Sequence, residues 1–247
     1  MSIEYGLFTD CTSLTDITIP NSVTCIEDEA FNECTGLTNI IIPDSVTSIG
    51  NMVFAGCNSL TDINIPNSVT SMGISVFASC TSLTNITIPD SVTSIEYGTF
   101  TFCTNLTYIT IPNSVMNIGE WAFGDCSNLT DVYYNGTEEE WNSINIMRAN
   151  KELLNATIHF NSETPEITPS TGDIDGNNTV DANDAYFCLL AYAKMSVGSD
   201  SGLTAAQEKA ADVDGNGKVD ANDAYYILLY YAKKSVGQDV SWAELFK

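Results

Sequence analysis

Apolar residues recur between residues 3 and 134 on a fixed step of 23. Phe8, Phe31, Phe54, Phe77, Phe100 and Phe123 keep that step, and so do Leu14, Leu37, Leu60, Leu83, Leu106 and Leu129. Pro20, Pro43, Pro66, Pro89 and Pro112 keep it as well. The unit, written six times, reads Leu-Thr-x-Ile-x-Ile-Pro-Asn/Asp-Ser-Val-x-x-Ile-x-x-x-x-Phe-x-x-Cys. Its Leu-x-x-Ile-x-Ile portion alternates as a strand does, with successive side chains on opposite faces. Proline ends the strand because it cannot donate to a ladder, and Asn or Asp followed by Ser makes the turn. Val-Thr-Ser-Ile predicts a second short extended stretch, and Phe-x-x-Cys closes the coil, expected as one helical turn.

A period of this length with this pattern predicts a leucine-rich repeat solenoid, mainly β. One unit cannot bury its apolar side alone, whereas stacked units bury Leu, Ile, Val, Phe and Cys as internal ladders. With strands about 4.8 Å apart, six coils would stack to roughly 25–30 Å. The pattern breaks at Asp131. Val132-Tyr133-Tyr134 still reads as a strand, and Thr137 with Glu140 forms a capping box into a helix carrying Trp141 and Ile144. Residues 131–160 are therefore expected to cap the solenoid, with Trp141 and Leu153 as plugs, which gives a first domain of 1–160. Residues 161–171, rich in Ser, Thr, Pro and Glu, predict an extended linker. The outer row of the predicted sheet holds Thr18, Ile41, Asn64, Thr87, Thr110 and Tyr133, beside Asp16, Asn39, Asp62, Asn85, Tyr108 and Asp131. That polar face suits a protein or glycan partner, and because it lacks a row of aromatics for sugar stacking, protein or cell-surface recognition is favoured. The unit resembles the BspA-like leucine-rich repeats of bacterial surface proteins over about half the chain, and the resemblance implies adhesion or protein recognition.

The remaining residues follow another rule. Asp173-Ile-Asp175-Gly-Asn177-Asn178-Thr179-Val180-Asp181-Ala-Asn-Asp184 is repeated as Asp212-Val-Asp214-Gly-Asn216-Gly217-Lys218-Val219-Asp220-Ala-Asn-Asp223. Oxygen-bearing side chains stand at loop positions 1, 3, 5, 9 and 12 of both copies. Ca²⁺ takes roughly six to eight oxygens, position 7 giving a backbone carbonyl. The predicted ligands of two Ca²⁺ are thus Asp173, Asp175, Asn177, Thr179, Asp181 and Asp184, then Asp212, Asp214, Asn216, Lys218, Asp220 and Asp223, with Thr179 and Lys218 acting through their carbonyls. Gly217 and Asn178 suit the left-handed backbone at position 6. Val180 and Val219 at position 8 are expected to pair the two loops.

Each loop runs into a near-identical helical stretch, Asp181–Lys194 and Asp220–Lys233. Pro165 and Pro169 before the first loop exclude the entering helix of an EF-hand, while a helix-like Leu203–Ala211 precedes the second. The segment 172–247 resembles a type I dockerin, on its duplicated D-x-D-G-N-x-x-x-D-x-x-D loops and exit helices. The resemblance implies a small all-α calcium-binding module with two loop–helix motifs that docks to a cohesin on a scaffoldin. It further implies cohesin contacts at Ala182, Asn183, Leu189, Leu190 and Lys194, matched by Ala221, Asn222, Leu228, Leu229 and Lys233.

Charge and cysteine usage narrow the function further. The formal net charge of −24 disfavours nucleic acid and anionic membranes as partners. No apolar run is long enough to span a bilayer. The chain starts inside a repeat, Ile3–Phe8 copying Ile95–Phe100, so further coils are expected ahead of it and the lack of a leader is silent about secretion. Cys11, Cys34, Cys57, Cys80, Cys103 and Cys126 recur at one position, as a ladder of buried thiols would. Cys25 and Cys188 have no evident partner. The lone histidine, His159, sits between Ile158 and Phe160 as a structural residue, which leaves no base for a Ser or Cys nucleophile. The reading is a secreted, non-catalytic, cellulosome-associated protein. The alternative is a dockerin-borne carbohydrate-active enzyme using solenoid carboxylates.

Overall fold

A computed structural model of the chain describes residues 1–161, 171–175, 179–238 and 240–245. The chain divides into two compact units, Met1–Thr164 and Pro165–Lys247. The expected linker falls almost wholly outside the described residues.

The first unit is a parallel solenoid. In chain order its strands are β1 (Ser2–Ile3), β2 (Asp16–Thr18), β3 (Cys25–Ile26), β4 (Asn39–Ile41), β5 (Ser48–Ile49), β6 (Ser71–Met72), β7 (Asn85–Thr87), β8 (Ser94–Ile95), β9 (Tyr108–Pro112), β10 (Asn117–Ile118), β11 (Asp131–Asn135), β12 (Asn145–Ile146) and β13 (Thr157–Phe160). They form two faces. One carries the Leu-x-x-Ile-x-Ile strands, paired β2–β4 and then β7–β9–β11–β13. The other carries the two-residue Ser-Ile stretches, paired β1–β3–β5–β6 and then β8–β10–β12. Residues 62–64 have the strand sequence but join no ladder, and the core beneath them stays closed at Ile63 and Ile65.

Each ladder expected from the sequence lies inside. The six phenylalanines stack ring on ring with centroids 5.1–5.7 Å apart. The prolines end their strands in turns closed by Val N–H to Pro carbonyl bonds, from Val46 to Pro43 at 2.9 Å through Val115 to Pro112 at 3.2 Å. The repeated serine has a second job. Ser45, Ser68 and Ser114 donate to the Val23, Val46 and Val92 carbonyls of the preceding coil at 2.6, 2.7 and 2.8 Å.

The Phe-x-x-Cys segment departs from the expectation of a helical turn. Two residues per coil have positive φ, at Gly6, Glu29, Met52, Ser75, Gly98 and Trp121 and again at Asp10, Glu33, Gly56, Ser79, Phe102 and Asp125. Left-handed residues cannot sit inside a right-handed helix. The reason for the strain is inter-coil bonding. The N–H groups of both left-handed residues and of the phenylalanine between them reach the carbonyls of the next coil, as Ser75 to Tyr97, Phe77 to Thr99 and Ser79 to Thr101 at 2.8–2.9 Å. A helical turn would spend those donors internally.

The thiol ladder runs from Cys34 to Cys126, each Sγ donating to a Phe carbonyl of the coil before, from 3.0 Å at Cys34–Phe8 to 3.3 Å at Cys57–Phe31. Burial pushes these thiols up, to about 11 at Cys34 and about 12 at Cys126. Cys11, expected in the same ladder, is exposed.

The cap also differs from its expected form. Residues 131–135 still belong to the ladder, and the terminal strand β13 pairs with them in register, Tyr133 beside His159. Between them lie two short helices, α1 (Glu138–Trp141), with the Thr137–Glu140 capping box, and α2 (Lys151–Asn155). Trp141 and Leu153 are buried over the last rung. Asn150, which the sequence pattern does not single out, completes the closure. Its Oδ1 accepts from Phe123 N–H at 2.9 Å, taking the place of the next coil's carbonyl, and its Nδ2 donates to the Gly119 and Met147 carbonyls at 2.8 and 2.9 Å.

The second unit is all-α: α3 (Ala182–Ser196), α4 (Ala205–Ala211), α5 (Ala221–Ser235) and α6 (Trp242–Leu245). Its core gathers Ile174, Ala185, Cys188, Ala191, Ala211, Val213, Val219, Ala224 and Ile227. No strand pairing joins Val180 to Val219 among the described residues. Val219 is buried in this core and Val180 packs against it. Cys188 finds a partner here, its thiol 3.6 Å from the Asp220 carbonyl.

Candidate metal centres and recognition face

Each long helix begins on its own loop. Asp181 is the N-cap of α3 and Asp184 its N3 residue, and the two exchange bonds as a capping box; Asp220 and Asp223 repeat this on α5. The position-12 carboxylates also hold the front of their loops. Asp184 Oδ1 accepts from the Ile174 and Asp175 amides at 2.6 and 3.2 Å, and its Oδ2 from Asp181 N–H at 2.8 Å. Asp223 does the same with Val213, Asp214 and Asp220 at 3.0, 3.3 and 2.9 Å. Both are fully buried. Burial raises the Asp184 carboxyl to about 7 and shifts Asp223 in the same direction.

Six predicted ligands thus come together in two sets of three. Asp173, Asp175 and Asp184 bring carboxylate oxygens within 4.8 Å of one another, and so do Asp212, Asp214 and Asp223. In the second loop Asp212 Oδ2 accepts from Gly217 N–H at 2.9 Å, while its Oδ1 is buried with no hydrogen-bond partner. An orphaned carboxylate oxygen beside two further carboxylates fits a hard cation, which prefers oxygen donors. Asp181 and Asp220 adjoin these clusters through the capping boxes. Asn216 lies within the second loop, its Oδ1 accepting from Lys218 N–H at 2.9 Å. Asn177 and Asn178 lie outside the described residues, as does most of the stretch before the first loop. The second loop has an entering helix, α4, whose C-cap is Asp212.

The residues expected to meet a cohesin lie on α3 and α5 or at their starts. Leu189 and Leu228 are each 43% exposed, and Ala182, Ala221 and Asn222 are exposed. Asn183, Leu190, Lys194, Leu229 and Lys233 are half-buried. Tyr186 and Tyr192 flank Leu189 at three-residue spacing, Tyr225 and Tyr231 flank Leu228, and all four are exposed. The sequence reading missed these tyrosines, although their i, i+3 spacing places each trio on one helix face. The copies differ at Ala191 and Tyr230. Tyr230 stacks on Trp242 at 4.3 Å, and Trp242 lies so close to Gly172 that a Cβ there would stand 2.3 Å from its ring.

On the solenoid, the Leu-x-x-Ile-x-Ile face ends in an aromatic group, in which the expected Tyr108 and Tyr133 are joined by His159. Tyr108 and Tyr133 meet edge to face at 5.8 Å, and Tyr133 stacks on His159 at 4.6 Å. His159 Nε2 is 2.7 Å from Asp131 Oδ1. That bond and one from Thr130 lower the Asp131 carboxyl. Burial, then the nearby Asp62 carboxylate, raises the Tyr108 phenol to about 12, so it stays a donor. The sequence reading placed His159 in a terminal strand without its neighbours, because the helical cap shifts β13 out of the 23-residue step.

A family model described as "BspA type Leucine rich repeat region" matches residues 1–135 in six copies. A crystal structure of a leucine rich cell surface protein from Faecalibacterium prausnitzii is 42% identical with a TM-score of 0.52, over 53% of this chain and 34% of that one. A leucine-rich repeat protein from Eubacterium ventriosum is 30% identical with a TM-score of 0.47, over 49% of this chain and 33% of that one. The chain therefore spans about a third of the length of either protein. No curated protein matches the chain.

Proposed function

The chain belongs to the BspA-type leucine-rich repeat family through residues 1–135, and on that premise we propose a secreted, cell-surface-associated adaptor without catalytic activity. In this reading the solenoid recognises an extracellular ligand. Residues 172–247, a type I dockerin holding two Ca²⁺, dock to a cohesin module of a scaffoldin in a cellulosome. The observation that carries the docking half is the duplication of one arrangement: three carboxylates within 4.8 Å, one of them fully buried at a helix start, in both loops. Buried carboxylates at such spacing repel one another unless a cation or a proton neutralises them. Asp173, Asp175, Asp181 and Asp184 would hold one ion, with Asn177 and the Thr179 carbonyl. Asp212, Asp214, Asn216, Asp220 and Asp223 would hold the other, with the Lys218 carbonyl. A bound ion would supply the charge balance that fixes the loops, so that α3 and α5 would present the Leu189 and Leu228 surfaces in a set orientation.

The non-catalytic reading rests on spacing. Asp16 and Asp62 stand two coils apart, about 10 Å at the backbone, and Asp62 and Asp131 three coils apart, about 14 Å. The carboxyl groups of a glycosidase pair stand roughly 5–9.5 Å apart, a separation that these positions reach only if their side chains lean toward each other. Hydrolysis of a plant polysaccharide by the chain would sink this reading in favour of the enzyme alternative.

Calcium titration of the chelated chain, followed by circular dichroism at 222 nm, tests the metal sites. A saturable rise in helicity is expected, abolished in the second loop by Asp212→Ala with Asp223→Ala; an unchanged spectrum in chelator and calcium contradicts it. Cohesin titrations test the partner. Spoiling one helix face, with Leu189→Glu or Leu228→Glu, should cost about twofold in affinity, roughly 0.4 kcal/mol, if both faces serve. The double variant should lose binding.

A further inference from the structure

We propose that the C-terminal end of the solenoid's outer sheet row is a subsite for a neutral saccharide, formed by Tyr108, Thr110, Tyr133 and His159 with the Asp62 and Asp131 carboxylates at its rim. The proposal rests on the solenoid being a recognition domain and names the class of ligand it takes.

Thr110 carries the argument. It faces outward, since Ile109 and Ile111 on either side of it are fully buried in the core. Its register partner is Tyr133 on the next strand, and Tyr108 is its neighbour on the same face of its own strand. The two rings meet edge to face beside it, and Thr110 is 2% exposed. Its hydroxyl has no hydrogen-bond partner. A buried hydroxyl without a partner costs about 1–3 kcal/mol, and valine would fill the same volume without that cost. Elsewhere on this solenoid, repeated Ser and Thr hydroxyls do find carbonyls, as Ser68 with Val46 and Thr107 with Thr84. In this proposal a ligand hydroxyl that displaces the rings beside Thr110 satisfies its hydroxyl.

The surroundings define that ligand. Aromatic faces take the C–H surface of a pyranose ring, and phenol, imidazole and carboxylate groups take its hydroxyls in both directions. Asp62 and Asp131 accept from hydroxyl donors and repel anions. The subsite holds no Lys or Arg, and its histidine already faces the Asp131 carboxylate at 2.7 Å, so no uncompensated cation awaits a uronic acid or a sulfated sugar. A polyol without charge meets every group present.

The experiment is calorimetric titration of the full chain in calcium with neutral gluco-, xylo- and manno-hexaoses, and with hexagalacturonate as the anionic arm. At least one neutral oligosaccharide is expected to bind more tightly than about 10 mM, and hexagalacturonate is not. Tyr133→Ala should weaken binding about tenfold or more. Thr110→Val should weaken it about fivefold while raising the melting temperature, because the orphan hydroxyl is gone. That opposite movement separates a ligand role from a packing role. No neutral binder, equal binding of the anionic arm, or binding indifferent to Thr110→Val and Tyr133→Ala would overturn the proposal. Retained capture of a surface protein by a chain that binds no saccharide would overturn this inference alone and leave the recognition reading standing.

Discussion

At the scale of single residues, the solenoid depends on side chains that impersonate backbone. Ser45, Ser68 and Ser114 bond a carbonyl of the coil before, and Asn150 supplies the acceptor that a missing coil would have given Phe123. The serines stood out because they repeat, although the pattern gave them only the turn and not the bond to the coil before. Asn150 was not, because it occurs once and its partners lie 27 and 31 residues away. The left-handed positions were equally hidden. Most hold Glu, Met, Ser, Asp, Phe or Trp rather than the glycine that marks such a turn, so only the demand for inter-coil donors explains them. Asn150→Ala would leave Phe123 N–H and the Met147 carbonyl unpaired beneath the cap, while the Gly119 carbonyl would keep only the Ala122 N–H. The expected loss is about 3 kcal/mol, since each buried orphan costs roughly 1–3 kcal/mol and water re-enters at the edge. Chemical denaturation of the variant measures it, and a loss below about 0.5 kcal/mol would show that the cap does not need this bond.

At the scale of elements, α3 and α5 each start from a buried carboxylate that serves three amides at once. The loop pattern made the clustered carboxylates legible, and the helices follow from the two apolar stretches. The Asp184 carboxyl is raised to about 7 by burial, against an ordinary value near 3.8. The folded chain therefore keeps a proton that the unfolded chain releases at much lower pH. In the absence of metal, the stability of this unit is highest below about pH 4 as far as this group decides it. It declines as pH rises toward about 7 and stays low above that. Under the proposed calcium binding the trend should reverse, because the ion would take the deprotonated carboxylate. Melting curves in chelator should give a lower midpoint at pH 8 than at pH 5 for the helical unit, and the gap should close in calcium. A higher midpoint at pH 8 in chelator would contradict the buried, proton-holding carboxyl.

At the scale of the whole molecule, the chain joins two ways of making a fold from repetition. The solenoid stacks apolar ladders, and its stability grows with nearest-neighbour contacts between coils. Among the described residues, the core of the helical unit gathers nine buried residues, a size at which a bound metal ordinarily supplies part of the folding energy. The two were separable in the sequence because the period of 23 stops and a period of 39, from Asp173 to Asp212, begins. Each unit should therefore answer to its own perturbation. A ligand that binds only the folded state stabilises it by about 2.7 kcal/mol at a hundredfold excess over its dissociation constant. Scanning calorimetry of the full chain should show two transitions. Chelation should lower only the one that carries the helical signal at 222 nm, and Asn150→Ala should lower only the other. The crossed design matters, because a single perturbation that moves one transition is also what a two-state protein with an unrelated local change would give. If chelation and Asn150→Ala each move both transitions together, the units fold as one cooperative body, and the division of labour between recognition and docking loses its thermodynamic basis.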